Sequence, residues 1–600
     1  MLLFYLLRFV GVFYSIVEIL INFKIMKLLF RMQFLLVLIV GLMLSGCSLF
    51  GGDKNPEDVI LSGMDFWLTV DYTSDNQREN LDLLVEELTD IDFSKLGDKN
   101  MESEITAAIT QMKMGWGLAR GSVDKELGEG TFSEYIDPIL EGKWKVLVAL
   151  DSSVFDFNTF DEVGNSDFDV NAMQIIFWTE EGDKLNDFIN LFNEKDEANA
   201  LVFEKEDGVE VFEIESDAFL LRSGGLYSLV FGKENKASVI DAFKNSVERE
   251  MMAEYGNDEG LMKMYYSAAA FNALGKTGAF ASGLDLSGTA EMVVNLFVTE
   301  ESLDGTAYIS GGKDYISLYE DNVLDGFVSG EKLMAFDETN LIATELESLI
   351  ATFSYTLGVD LNEELLAVLG MSSEDLLTLF DDHFAFFMSE RGSIVPGFGF
   401  VLNVGENNKD LMMKLHESLD LFIDQVIFEF NSGMEDETLT GAILKENVSD
   451  DFVRVSFDKS KIPLDEVDVL SMLNIKDPGT NLYLNYGFKD GKYVLAVSDL
   501  EVDELFGGDN VVSDNARFKN ALDSLNLGND GIQTSFVDMQ EVINWMDSFI
   551  DFTVSLGGVS AEEEKISRFV VDYFRRFDYL ISGYEVVDDV LVGRFSLKLK

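Results

Sequence analysis

Apolar positions in this chain follow two spacings, and each predicts its own kind of element. Near the end, Phe595, Leu597 and Leu599 alternate with Arg594, Ser596 and Lys598, which predicts a strand with one buried face. Leu185, Phe188, Ile189 and Phe192 follow the capping candidate Asp183 at helical spacing. Ile566, Phe569, Val570, Tyr573, Phe574 and Phe577 do the same after Ser560. One-faced strands beside amphipathic helices predict an α+β fold, with antiparallel sheets covered by helices on one face.

The order of these elements runs twice. One pass starts with the strand FWLTVDY from Phe66 and the helix NLDLLVEEL from Asn80; the other starts with Leu333 to Phe336 and a helix from Leu341 to Phe353. A strand follows in each, KVLVALD from Lys145 and HFAFFMSE from His383. A strand and helix come next, from Met173 and from Phe398. Hairpins then turn at Asp207-Gly208 and Gly224-Gly225 in the first pass and at Asp490-Gly491 in the second, dipeptides that accept positive φ. A helix and strand close each pass, from Phe271 and from Phe518. The expectation is two tandem related halves, α+β repeat 1 over 61–320 and α+β repeat 2 over 331–600.

The segment from Met26, MKLLFRMQFLLVLIVGLMLSGC, has basic residues at Lys27 and Arg31, an apolar core from Phe34 to Met43, and small residues before Cys47. This is the layout of a secretory signal, and its core is too short to span a bilayer. Leu44-Ser45-Gly46-Cys47 resembles the processing site of bacterial lipoproteins, and Cys47 is the only cysteine in 600 residues. The resemblance implies cleavage before Cys47, lipid on its sulfur and attachment to the extracytoplasmic face of a membrane, at the cell surface or in the periplasm. Several acyl chains would make that attachment stable. Residues 1–46 are then the signal peptide, with a true start near 26, and residues 47–60 carry the lipid and a short tether.

The lipidated cysteine, the repeated hairpins and the segment SDNARFKNALDSLN from Ser513 together resemble an uncharacterised family of exported bacterial proteins with duplicated α+β units. That resemblance implies architecture and carries no catalytic residues. Composition agrees with a folded body, since 47% of residues are hydrophobic and 12% aromatic. Losing residues 1–46 removes four basic residues and one acidic residue, and takes the formal charge from −65 to −68. So acidic a surface repels nucleic acid, which is excluded as a partner.

Candidate chemistry is sparse. Ala270 to Thr277 (AFNALGKT) resembles a phosphate-binding loop, but the preceding YYSAAAFNAL has helical character, and Gly275 reads as a helix terminator with Lys276 beside the last carbonyls. His383 and His416 are the only histidines, too few for the usual zinc site. His416 flanks a stripe of Leu411, Leu415, Leu419 and Phe422, with Asp420 one turn away, and both histidines read as structural. Asp167-Phe-Asp169-Val-Asn171 begins like a calcium loop, but Ala172 stands where glycine is needed and Trp178 where the closing glutamate belongs. Weak divalent cation binding by the acidic surface remains an expectation; no catalytic, cofactor-binding or metal residue is assigned. No Gly-x-Ser-x-Gly occurs. Trp67, Trp116, Trp144, Trp178 and Trp545 sit among apolar neighbours and read as core.

The sequence thus points to a lipid-anchored extracytoplasmic protein without an enzymatic signature, acting in binding or envelope structure through a protein or ligand partner. Two alternatives stand beside it. One is a carbohydrate-active hydrolase using an Asp/Glu pair, and the other is a carrier of apolar cargo.

Overall fold

The computed structural model describes residues 56–89, most of 120–152, 170–195, most of 201–256, 260–270, 291–311, 324–339, parts of 371–405, 408–433, most of 443–457, most of 483–527, 533–555 and 560–600. Cys47 and its signal, the loop around Lys276, Asp167 and Asp169, Trp116 and His383 lie outside them. The fold is α+β, and every pair of strands with a recorded register is antiparallel.

In chain order the strands are β1 (Phe66–Asp71), β2 (Trp144–Leu150), β3 (Met173–Thr179), β4 (Glu204–Glu206), β5 (Val209–Glu215), β6 (Ala218–Ser223), β7 (Leu226–Phe231), β8 (Met262–Tyr266), β9 (Met292–Val298) and β10 (Ser302–Ser310). They continue as β11 (Leu333–Thr339), β12 (Phe384–Ser389), β13 (Gly397–Asn403), β14 (Ile443–Ser449), β15 (Phe452–Phe457), β16 (Tyr483–Lys489), β17 (Lys492–Ser498), β18 (Gln533–Asp538), β19 (Phe577–Val587) and β20 (Val590–Leu599). The longer helices are α1 (Asp75–Thr89), α2 (Gly182–Lys195), α3 (Lys233–Lys244), α4 (Lys409–Gly433), α5 (Ala516–Leu525), α6 (Met539–Ser555) and α7 (Ala561–Phe574).

The chain divides into two compact units. One takes its residues from 1–59, 107–145 and 175–246, and the other from 60–106, 146–174 and 247–600, so the boundaries fall inside β2 and β3. The larger unit draws residues from both 61–320 and 331–600.

In the smaller unit the strand neighbours run β3–β7–β6–β5–β4. Helix α3 packs on β6 and β7 through a buried face that includes Val239, Ile240 and Phe243. The turns are those the dipeptides demand. Asp207 and Gly208 have φ of 52° and 92°, and Gly224 has 65°. Mirror-image turns of this kind match the right-handed twist of the strands they join.

In the larger unit the neighbours run β2–β1–β8–β9–β10–β20–β19–β18–β11–β12–β13–β17–β16–β15–β14. The order β3–β7–β6–β5–β4 thus reappears as β13–β17–β16–β15–β14. Likewise β2–β1–β8–β9–β10 reappears as β12–β11–β18–β19–β20.

The expectation of helices on one face holds for only part of this sheet. Helix α5 lays Phe518, Ala521 and Leu525 on the face that carries Phe336, Val401, Val494, Ala496, Phe536 and Ile581. Helix α4 packs Met412 against Tyr493, and Ile423 against Val453, Val455, Tyr486 and Leu495. On β17 the residues facing α4, Tyr493 and Leu495, alternate with those facing α5, Val494 and Ala496. The two helices therefore cover opposite faces there. Double coverage explains why β17 reads as the unbroken apolar run YVLAV, whereas β19, with Leu580 and Tyr584 exposed on one side, alternates.

Two of the helices start at side-chain caps. Asn515 caps α5, its side chain accepting from the N–H groups of Arg517 (2.9 Å) and Phe518 (3.1 Å). Ser560 and Glu563 form a reciprocal capping box at α7.

Candidate functional site

A set of interacting titratable groups lies where α4 meets β14, β16 and β17. Helical spacing puts His416, Asp420 and Asp424 on one side of α4. The register of β15 with β16 and of β16 with β17 brings Tyr486 and Tyr493 beneath that side. Lys445 reaches the same place from β14.

His416 is 8% exposed. Its ring is surrounded by Tyr486, Phe488 and Tyr493 at centroid distances of 5.7, 6.1 and 5.9 Å, and its Nδ1 lies 3.4 Å from the Tyr493 Oη. Burial in this aromatic setting lowers its pKa. Tyr486 donates to Asp420 Oδ1 at 2.7 Å, and Lys445 Nζ lies 2.8 Å from Asp420 Oδ1 and 2.6 Å from Asp424 Oδ1. Burial works against ionisation of Asp420. The hydrogen bonds from Lys445 and Tyr486 and the Lys445 charge outweigh it, so its pKa is lowered. Both tyrosines are pushed up by burial, and Tyr486 further by its bond to Asp420.

This chemistry holds protons in place and does not pass them on. Asp420 is kept ionised by a cation, so it is a poor general acid, and Tyr486 keeps its proton directed at Asp420. The arrangement ties α4 to the sheet through Lys445 of β14 and Tyr486 of β16. His416 is thus a buried docking residue, as its place beside the apolar stripe implied. The sequence showed His416 and Asp420 one turn apart. It could not show the tyrosines, 70 and 77 residues from His416, because only strand register unites them.

A second carboxylate pair has the electrostatics that the hydrolase reading would require. Asp325 is raised to about 6 by burial and by the charge of Glu338. Glu338 Oε1 accepts from the Leu324 N–H at 3.2 Å and is 2% exposed. Both sit against the core of Leu324, Phe327, Val328 and Leu333. Raised to about 6, Asp325 is protonated in acid and ionised at neutral pH.

The remaining candidates are separate from one another. Trp67 is buried and stacks on Tyr265 with centroids 3.8 Å apart, and Trp144 donates from Nε1 to the Leu140 carbonyl at 3.2 Å. Asn171 and Ala172 belong to a short 3-10 turn before β3. No group of three His, Cys, Asp or Glu among the described residues is placed to hold a metal ion. An acidic depression of about 420 Å³ on α1 is lined by Asp75, Arg78, Glu79, Asp82 and Leu83, with Arg78 3.9 Å from Asp75.

No family model matches this chain. No curated protein matches it either. Among solved structures it resembles crystal forms of the Treponema protein TP0453. Form I shares 10% identity over 44% of this chain and 80% of that one, with a TM-score of 0.22. Form III shares 12% over 43% and 80%, with a TM-score of 0.21. None of the described helices is long and apolar enough to cross a membrane.

Proposed function

We propose that this is a lipid-anchored extracytoplasmic protein of a bacterial envelope, built twice on one ten-strand plan, with a non-enzymatic role in binding or envelope structure. The observation that carries the location is Leu44-Ser45-Gly46-Cys47 closing an apolar core, with the chain's single cysteine at the processing position. The recurrence of strand order 3-7-6-5-4 as 13-17-16-15-14, and of 2-1-8-9-10 as 12-11-18-19-20, supports the duplication. The non-enzymatic reading draws support from the chemistry of the two titratable clusters. In the first, Lys445 holds Asp420 ionised; in the second, Glu338 is buried and accepts from the Leu324 N–H, so neither sets a poised acid and base together before a substrate.

Mass spectrometry of protein extracted from membranes tests the location. An N-terminal peptide starting at Cys47 and carrying acyl mass is expected, and Cys47→Ala should lose that mass and the membrane association. An unmodified chain still bearing residues upstream of 47 would overturn the proposal. The hydrolase alternative is checked with soluble and polymeric glycosides. Turnover abolished by Asp325→Asn with the fold intact would restore it.

A further inference from the structure

Lys263 is 2% exposed, and a lysine is seldom buried so completely. It stands on β8, in register between Thr69 of β1 and Asn295 of β9. Residues opposite one another across a sheet share a face, with Cβ atoms about 5 Å apart, a gap that the four methylenes of a lysine span. Asp71, two residues beyond Thr69 on β1, shares that face. Its Oδ2 lies 3.7 Å from the Lys263 Nζ, and its Oδ1 accepts from the N–H (3.1 Å) and hydroxyl (2.6 Å) of Thr73. Asn295 is 1% exposed. Its Nδ2 donates at 2.8 Å to the carbonyl of Tyr255, which ends the short helix Glu250–Tyr255. Its Oδ1 is buried with no hydrogen-bond partner among the described residues. Amine, carboxamide and carboxylate thus share one face of three adjacent strands, beside the buried rung Trp67–Tyr265–Val293.

The sheet does not need a lysine there. Counting outward in register from the Thr306–Arg594 pair of β10 and β20, Asn295 and Lys263 stand one and two strands away on one side, and Gly583 and Thr534 hold the matching places on the other. A buried ion pair stabilises little against an apolar replacement, so stability alone does not account for Lys263 and Asp71. Nor can this chain close a disulfide within itself, since Cys47 is its only cysteine.

We propose that the folded protein joins Lys263 to Asn295 through an isopeptide bond, with Asp71 as the acid and base of the reaction. Asp71 takes a proton from the Lys263 ammonium, and the freed lone pair on Nζ attacks the Asn295 Cγ, whose displaced electron pair passes to Oδ1. As that pair returns, the Cγ–Nδ2 bond breaks. Both protons shed by Nζ pass through Asp71 to Nδ2, which leaves as ammonium, so the Asp71 carboxylate is restored and no oxidant or other reactant is consumed. The product ties β8 to β9 covalently within the core. It depends neither on the lipid at Cys47 nor on a partner, so it stands apart from the role proposed above.

The test is mass spectrometry of the purified full chain, denatured and digested. A branched peptide holding both Lys263 and Asn295, lighter than its two linear parts by one ammonia, is expected in most molecules. Lys263→Arg and Asp71→Ala should each yield the linear peptides alone, and circular dichroism shows whether each variant is folded. The unsubstituted protein decides the matter without them. Linear peptides carrying a free Lys263 amine and an intact Asn295 carboxamide would overturn the proposal. A branched peptide lighter by one water would do the same, because it would make Asp71 the acyl partner. Persistence of the ammonia-loss branch in Asp71→Ala would overturn the part given to Asp71.

Discussion

Two helices cover opposite faces of the same strands, and they are held by different chemistry. Helix α5 is tied by Arg517, whose guanidinium pairs with Asp538 and reaches the Asp578 carboxylate at 2.9 Å and its carbonyl at 3.1 Å. Asp538 is 2% exposed and also accepts from the Gln540 N–H at the start of α6, so one buried carboxylate serves two helices. Helix α4 is tied by Tyr486, Lys445 and two aspartates that are partly open to water. A buried charge makes its partner indispensable, because removing the partner strands the charge. A half-open network spreads the task and lets water replace a lost bond.

The largest expected effect follows from that difference. Arg517→Ala should destabilise the larger unit by about 3 kcal/mol, discounted for the partial exposure of Arg517, as measured by denaturant unfolding. Tyr486→Phe removes one bond from a carboxylate that keeps Lys445, and should cost about 1 kcal/mol. Comparable losses for the two would erase the distinction. Asn515→Ala should cost about 1 kcal/mol by uncapping α5, with no effect on the His416 environment.

The two sides should also respond to pH with opposite sign. On the α5 side, Asp325 is raised from its ordinary 3.8 to about 6, so the folded chain holds a proton that the unfolded chain has released. Its contribution is present in acid and is lost as pH rises from 3.8 to 6. Asp325→Asn should therefore stabilise the protein at neutral pH by about 1–2 kcal/mol and make no difference below its ordinary pKa. On the α4 side, His416 is lowered, so the unfolded chain takes up its proton first and stability is lost as pH falls below 6.5. In a His383→Gln background, the His416 ring signals should titrate with a midpoint below 6.5, and Tyr493→Phe should shift that midpoint only slightly. A midpoint above 6.5 would contradict the docked, neutral imidazole.

These two sides were unequally readable from the chain. The helix expected from Phe518 is α5, and Asp490-Gly491 announced the β16–β17 turn, where φ is 50° and 80°. Double coverage was not legible, because one-faced alternation served as the template and β17, apolar on both faces, does not alternate. The Lys445–Asp420–Tyr486 network was likewise hidden. Its one sequence signal was three titratable residues, His416, Asp420 and Asp424, at four-residue intervals along a helix face otherwise rich in leucine and isoleucine.

The seam between β10 and β20 bears on how such a molecule could change over time. There Ser302 to Ser310 face Lys598 to Val590 in unbroken antiparallel register, and main-chain amides and carbonyls make the join. A junction written in peptide groups is indifferent to most side-chain replacements. Residues along both strands could therefore be exchanged widely without loosening the line along which β10 and β20 are stitched.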